Sequence, residues 1–267
     1  MKKISIKSLV TASAIAIAFG FAGPFAAFAA TAPTLGTADD FAVLAGSAIS
    51  DPTGGSAIVG NVGLSPTGGT AITNLSCSET TGTIYDTNAG YTGGDDSTVG
   101  CLLTNAGLLI IAKNDLVTAF IDARDQATTT VITSDLATFN GGTLTPGVYG
   151  GDSSVGLTGA VTLDGLGDAN AVFIIKSGST LTTAGGSVVN LTTGTQACNV
   201  FWQVGSSATI GSGSNFKGTI MAAASISDAG GSTILGRLLA RTAAVTLNNT
   251  DVTKPTCVAA AVAQQSS

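Results

Sequence analysis

The sequence predicts a mostly β chain coiled as a β-solenoid, with one long α-helix packed alongside and a capping insert at one end. Three observations carry that expectation. The chain is rich in Gly (36 residues) and Thr, with 10% charged and 5% aromatic side chains, a balance suited to strands joined by tight turns. Phrases of one pattern recur at 18- to 19-residue intervals toward the C-terminus. A single segment carries apolar residues at helical spacing.

Taken in chain order, residues 1–29 predict a signal peptide. Lys2, Lys3 and Lys7 make a basic start, Leu9 to Phe25 is apolar, and Ala27-Phe28-Ala29 has the small-x-small form of a cleavage site. Gly20, Gly23 and Pro24 shorten the apolar run below the roughly 20 residues a spanning helix needs. The expectation is therefore a secreted chain with no membrane anchor, cleaved after Ala29. Residues 30–267 form one domain, ending in a frayed tail over 259–267.

Four cysteines in an exported chain suggest two disulfides out of three possible pairings. The favoured pairing joins Cys77 to Cys101, closing a Gly/Thr/Asp-rich segment that reads as a cap over 77–101. It also joins Cys198 to Cys257, pinning the C-terminal end. Four thiolates on zinc is the rival reading, and no C-x-x-C pair supports it.

Leu109, Ala112, Leu116, Phe120 and Ala123 recur on one helical face, with Asn114, Asp115, Asp122 and Asp125 elsewhere. The spacing predicts a helix over 104–127 with Thr104 as its N-cap and the Thr128-Thr129-Thr130 run as its stop. Its length, roughly 33 Å for 22 residues, is comparable to a stack of about seven coils, so it can lie along a solenoid's side.

The repeats read VFIIKSGSTLTTAGGSVV from Val172, VFWQVGSSATIGSGSNF from Val200, TIMAAASISDAGGSTIL from Thr219 and RLLARTAAVTLNNTDV from Arg237, with an N-terminal echo, FAVLAGSAIS, from Phe41. Each is an apolar strand, a Gly or Ser corner, a short alternating strand and a second corner. One such coil cannot bury its inner face alone, so neighbours must stack above and below it. In the short strands Leu181, Ala208, Ile226, Val245 and Ile49 should point inward. Their neighbours then form an outward ladder: Thr180 and Thr182, Ser207 and Thr209, Ser225 and Ser227, Ala244 and Thr246, Ala48 and Ser50. Thr162 is placed on a different face.

Several functions are disfavoured by composition. Without His there is no imidazole base, no His-activated nucleophile and no imidazole metal ligand. A net charge of −6 opposes nucleic-acid binding. Lys176, Lys217, Asp228, Arg237, Arg241 and Asp251 are scattered through the repeats without a paired acid and base, which argues against a polysaccharide lyase or hydrolase. Arg237 and Arg241 read as edge or solvated residues. Gly94-Asp95-Asp96 offers too few oxygens for Ca²⁺, so neither metal nor cofactor is expected. Asn74, Asn190 and Asn248 match short glycosylation patterns. Trp202 lies in an apolar strand, as core rather than as a sugar platform.

LGTADDFAVLAGSAIS, TLTPGVYGGDSSVGLTGAVTLDGLGDANAVFIIKSGSTLTT, and ACNVFWQVGSSATIGSGSNFKGTIMAAASIS followed by GRLLARTAAVTLNNTDV together resemble the secreted ice-binding proteins of cold-living microbes. The resemblance covers essentially the whole mature chain in order. It implies a right-handed, discontinuous solenoid of triangular section with a parallel helix beside it. It further implies a monomer that adsorbs to an ice crystal surface through one flat face. The outward ladder above resembles that face by strand register. On it, methyl groups and hydroxyls hold lattice-like water, and stiff Thr rotamers lose little entropy on docking. The alternative is an extracellular adhesion or polysaccharide-binding module without ice activity.

Overall fold

The computed structural model describes residues 30–91 and 100–258. The predicted leader 1–29, the tail 259–267 and Gly94-Asp95-Asp96 lie outside the described residues. Parallel strands form one 15-stranded and one 7-stranded sheet, with a single α-helix among the described residues. This is a β-solenoid with one helix beside it.

Each coil contributes three strand runs. In one, Phe173–Ser177 leads through a corner into Leu181–Thr183, and a second corner leads into Val188–Thr192. The next coil repeats this with Val200–Val204, Ala208–Ile210 and the start of Asn215–Ala222, each paired in parallel with its predecessor. From there the third run continues straight into the first run of the following coil. The eight-residue strands Asn215–Ala222 and Thr233–Ala240 therefore belong to two faces at once. Gly218 makes that corner with φ +106°, a conformation that L side chains rarely adopt, and Gly236 packs directly on the Gly218 carbonyl.

The stack does not follow the chain. Phe41–Ala45 lies between Asn61–Leu64 and Thr233–Ala240, pairing Val43 with Leu238 across almost two hundred residues. The chain thus enters mid-stack and builds to one end at Leu102–Thr104. It then returns through the helix to the opposite end at Thr130–Val131 and coils back to meet its own start. Leu102–Thr104 lies beside the Cys77–Cys101 disulfide, and Cys198–Cys257 is the second pair. Both pairings agree with the sequence reading.

The helix spans Ala106–Asp125, shorter at both ends than the predicted 104–127. Thr104 is not its N-cap: Asn105 is, accepting from the Leu108 amide at 3.0 Å. Thr104 is a strand residue whose hydroxyl donates to Asp86 at 2.6 Å, a tertiary partner that outweighs its capping propensity. Helix termination falls before the Thr run, where Lys176 Nζ donates to the last carbonyls, those of Arg124 and Gln126. Leu109, Ala112, Leu116, Phe120 and Ala123 are all buried, facing Leu44, Val148, Ile174, Phe201, Met221 and Leu239 of the sheet. Twenty residues give about 30 Å of helix, which covers most of the row of strands beneath it.

A second core fills the solenoid. Val155, Leu181, Ala208, Ile226, Val245, Ile49 and Ile72, one from each strand of the 7-stranded sheet, are at most 5% exposed. Trp202 is buried there, its indole N–H donating to the Lys217 carbonyl at 2.9 Å.

Two further residues depart from expectation. Arg237 is 2% exposed rather than solvated, and its guanidinium meets Asp39 and backbone carbonyls. Arg241 is half-buried rather than fully solvated, stacked 4.4 Å above the Phe120 ring. Arg237 thus ties the sheet to the N-terminal segment and Arg241 ties it to the helix, an arrangement beyond the reach of any local pattern.

Candidate functional site

The 7-stranded sheet runs in the order Val155–Leu157, Leu181–Thr183, Ala208–Ile210, Ile226–Asp228, Val245–Thr246, Ile49–Ser50, Ile72–Thr73. Its strands are two or three residues long, because the corners on either side leave room for one outward side chain between two inward ones. Register places Gly156, Thr182, Thr209, Ser227, Thr246, Ser50 and Thr73 in one row. Thr182, Thr209 and Thr73 are exposed and Ser227, Thr246 and Ser50 half-buried.

A second row stands one residue before the inward side chains: Ser154, Thr180, Ser207, Ser225, Ala244, Ala48 and Ala71. Backbone hydrogen bonds connect it coil to coil, from Leu181 N to Ser207 O, Ala208 N to Ser225 O, Ile226 N to Ala244 O and Val245 N to Ala48 O. The hydroxyls of this row pair with one another, Thr180 with Ser154 at 2.8 Å and Ser225 with Ser207 at 2.9 Å. Those of the first row stay directed outward, apart from a long contact between Ser50 and Thr246 at 3.5 Å.

All ten candidate residues therefore share one face: Thr182, Thr209, Ser227, Thr246 and Ser50 in one row, Thr180, Ser207, Ser225, Ala244 and Ala48 in the other. Strand geometry sets spacings of about 4.8 Å across strands and about 6.7 Å along them, so seven strands span about 29 Å. Neither row contains a charged side chain. Ser154, Gly156, Ala71 and Thr73 extend the face at its two ends, and sequence reasoning missed them. The alternations in SSVGL and TAITN were the available signal, weakened by Gly156 and by the absence of a full repeat around Ile72.

Thr162 lies instead in Ala160–Asp164 of the larger sheet. The outward residues of that third face include Asn215, Lys217 and Asp251, so it carries charge within its rows. The first face carries none within its rows and has a carboxylate beside its Gly156 end, where Asp135 lies against the glycine. Among the described residues no group of three or more His, Cys, Asp or Glu is placed to hold a metal ion. None of the described helices is long and apolar enough to cross a membrane.

A family profile described as ice-binding-like matches residues 43–253. An ice-binding protein of Nostoc sp. (strain HG1) is 39% identical over 84% of this chain and 75% of its own length. One of Colwellia sp. is 35% identical over 88% of this chain and 89% of that protein. Among solved structures, an ice-binding protein from an Antarctic biological consortium superposes with a TM-score of 0.71 at 38% identity, covering 85% of this chain and 93% of that one. The ice-binding protein 1 domain of Shewanella frigidimarina gives 0.73 at 31% identity, over 85% and 99%.

Proposed function

The chain belongs to the ice-binding-like family, and on that premise we propose that it adsorbs to ice crystals through the 7-stranded face and so inhibits their growth or recrystallisation. The observation that carries this reading is the double row of Ser, Thr and Ala, ending at Gly156 and free of charged members, held in register over seven strands. A carboxylate or ammonium on such a face would orient water around its charge. A methyl beside a hydroxyl lets water close into a cage while anchoring it at fixed points. Strands of two or three residues between stiff corners keep that grid flat, so many weak contacts form together.

The two rows differ in what they offer. Thr180, Ser154, Ser207 and Ser225 satisfy one another, which fixes their rotamers, whereas Thr182, Thr209 and Thr73 present free hydroxyls and methyls to solvent. The Thr182 row makes the principal contact and the Thr180 row sets its level. In the same reading the protein is a secreted, non-catalytic monomer needing no metal, and the Cys77–Cys101 segment caps one end of the stack against edge-to-edge pairing.

Thermal hysteresis and ice shaping by the purified chain beginning at residue 30 test the reading. Faceted crystals and a freezing gap above that of serum albumin at equal concentration are expected, unchanged by chelator. Round crystals with no gap would refute it.

A further inference from the structure

The proposed face is a composite of two parts of the chain. Five of its strands come from residues 155–246 and two from residues 49–73, and they meet only where Ile49–Ser50 pairs with Val245–Thr246. Within this sheet two residue pairs join them, and the same coils pair again in the larger sheet at Val43–Leu238 and along Ala57–Val59. A slip or tilt there would leave Ser50 and Thr73 off the plane of Thr246 and Thr209.

Behind that seam runs a buried polar chain. Asp51 follows Ser50 directly and is fully buried. One carboxylate oxygen accepts from the Ser56 amide within its own coil at 3.1 Å, and the other from the Asn249 amide of the opposing coil at 3.2 Å. The Ser56 hydroxyl accepts from the Thr250 amide at 2.9 Å, and the Thr250 hydroxyl donates to Asp228 at 2.6 Å. Asp228 also accepts from the Ser232 hydroxyl at 2.6 Å and follows Ser227 as Asp51 follows Ser50. Asp228, Thr250 and Ser56 are each at most 3% exposed.

We propose that the Asp51–Ser56–Thr250–Asp228 chain is a positioning device for the proposed ice-binding face, levelling its N-terminal strands with its C-terminal ones. Solvent-facing hydrogen bonds could not do this as firmly, since water competes for them. A buried carboxylate retains its donors because giving them up leaves a charge unsatisfied. Its two oxygens reach to opposite sides of the seam, tying the coils at the corner directly behind the face, where the larger sheet's pairing does not reach. The inference rests on the proposed reading of the face.

The test compares hysteresis per folded molecule near 0 °C, far below melting, for Asp51→Ala, Ser56→Ala and Asp51→Asn. Cys77→Ser/Cys101→Ser serves as a control destabilised away from the seam, and Thr182→Tyr reports on the face itself. The expected result is a several-fold loss in Asp51→Ala and Ser56→Ala, a smaller loss in Asp51→Asn, which keeps one acceptor, and none in the cysteine control. Should Asp51→Ala not fold, Ser56→Ala, which removes only a neutral acceptor, decides. Full hysteresis in folded seam variants while Thr182→Tyr abolishes it would overturn the positioning role and leave the face standing. Full hysteresis in Thr182→Tyr as well would remove the face and this inference together.

Discussion

Arg237 and Asp39, 198 residues apart, meet at 2.6 Å with the arginine side chain 3% exposed and the carboxylate half in solvent. Arg237 also donates to the Asp39 and Pro255 carbonyls and to the Thr219 hydroxyl, so from the last coil it binds the N-terminal segment, the preceding coil and the C-terminal arm at one point. Burial lowers its pKa and the Asp39 and Asp40 carboxylates oppose that shift.

Asp39→Ala leaves this buried cation with neutral hydrogen-bond partners and the Asp40 charge outside ion-pair contact. A fully buried pair broken in this way costs about 3–5 kcal/mol, and because Asp39 is half exposed we expect about 1–3 kcal/mol. Urea unfolding with an unchanged m-value checks it, and a loss under about 0.5 kcal/mol would show that the carbonyls suffice.

Lys113 makes stability pH-dependent. Its ammonium donates to the Ala240 and Arg241 carbonyls, and burial first, then the Arg241 charge, pulls its pKa down to about 8. The native chain thus releases this proton below the ordinary value of 10.5, the unfolded chain binds more protons between the two, and stability from this group rises with pH across that window. Tyr91, pushed up to about 12 by burial and then by Glu79, acts with the opposite sign above pH 10. Lys176 and Lys217, also lowered by burial, act with the same sign as Lys113. Denaturant midpoints from pH 7.5 to 9.5 should therefore rise for the wild type and rise less in Lys113→Met, which leaves the Ala240 and Arg241 carbonyls without this donor. Parallel slopes would refute the assignment.

The disulfides should contribute unequally. Cys77–Cys101 spans 24 residues and Cys198–Cys257 spans 59, for which chain entropy gives about 3 and about 4 kcal/mol. Paired Ser replacements compared by thermal unfolding check the order. A larger loss at Cys77–Cys101 would mean that native contacts of that segment dominate.

Local pattern made the coil, the helix and the face legible. Leu181, Ala208 and Ile226 alternate with hydroxyl residues inside short strands, and that alternation fixes which side is outward. Leu109, Leu116 and Phe120 identify the buried helix face in the same way. What local pattern does not encode is pairing across the seam. Arg237 resembles any strand-flanking cation until Asp39 and Pro255 are brought to it, and Asp51 and Asp228 look like turn residues until the corner buries them. Thr104 illustrates the converse, a good capping residue taken by a tertiary hydrogen bond.

The central claim, that the Thr182 row is the surface that meets ice, is tested most directly by Thr209→Tyr. Thr209 is exposed between Thr182 and Ser227, so the change should alter stability by no more than about 0.5 kcal/mol while holding a crystal away from the neighbouring coils. Hysteresis and melting measured on the same preparation should show most of the activity lost at an unchanged melting temperature, with Thr162→Tyr on the other face fully active. Full hysteresis in folded Thr209→Tyr, or its loss in Thr162→Tyr instead, would contradict the account.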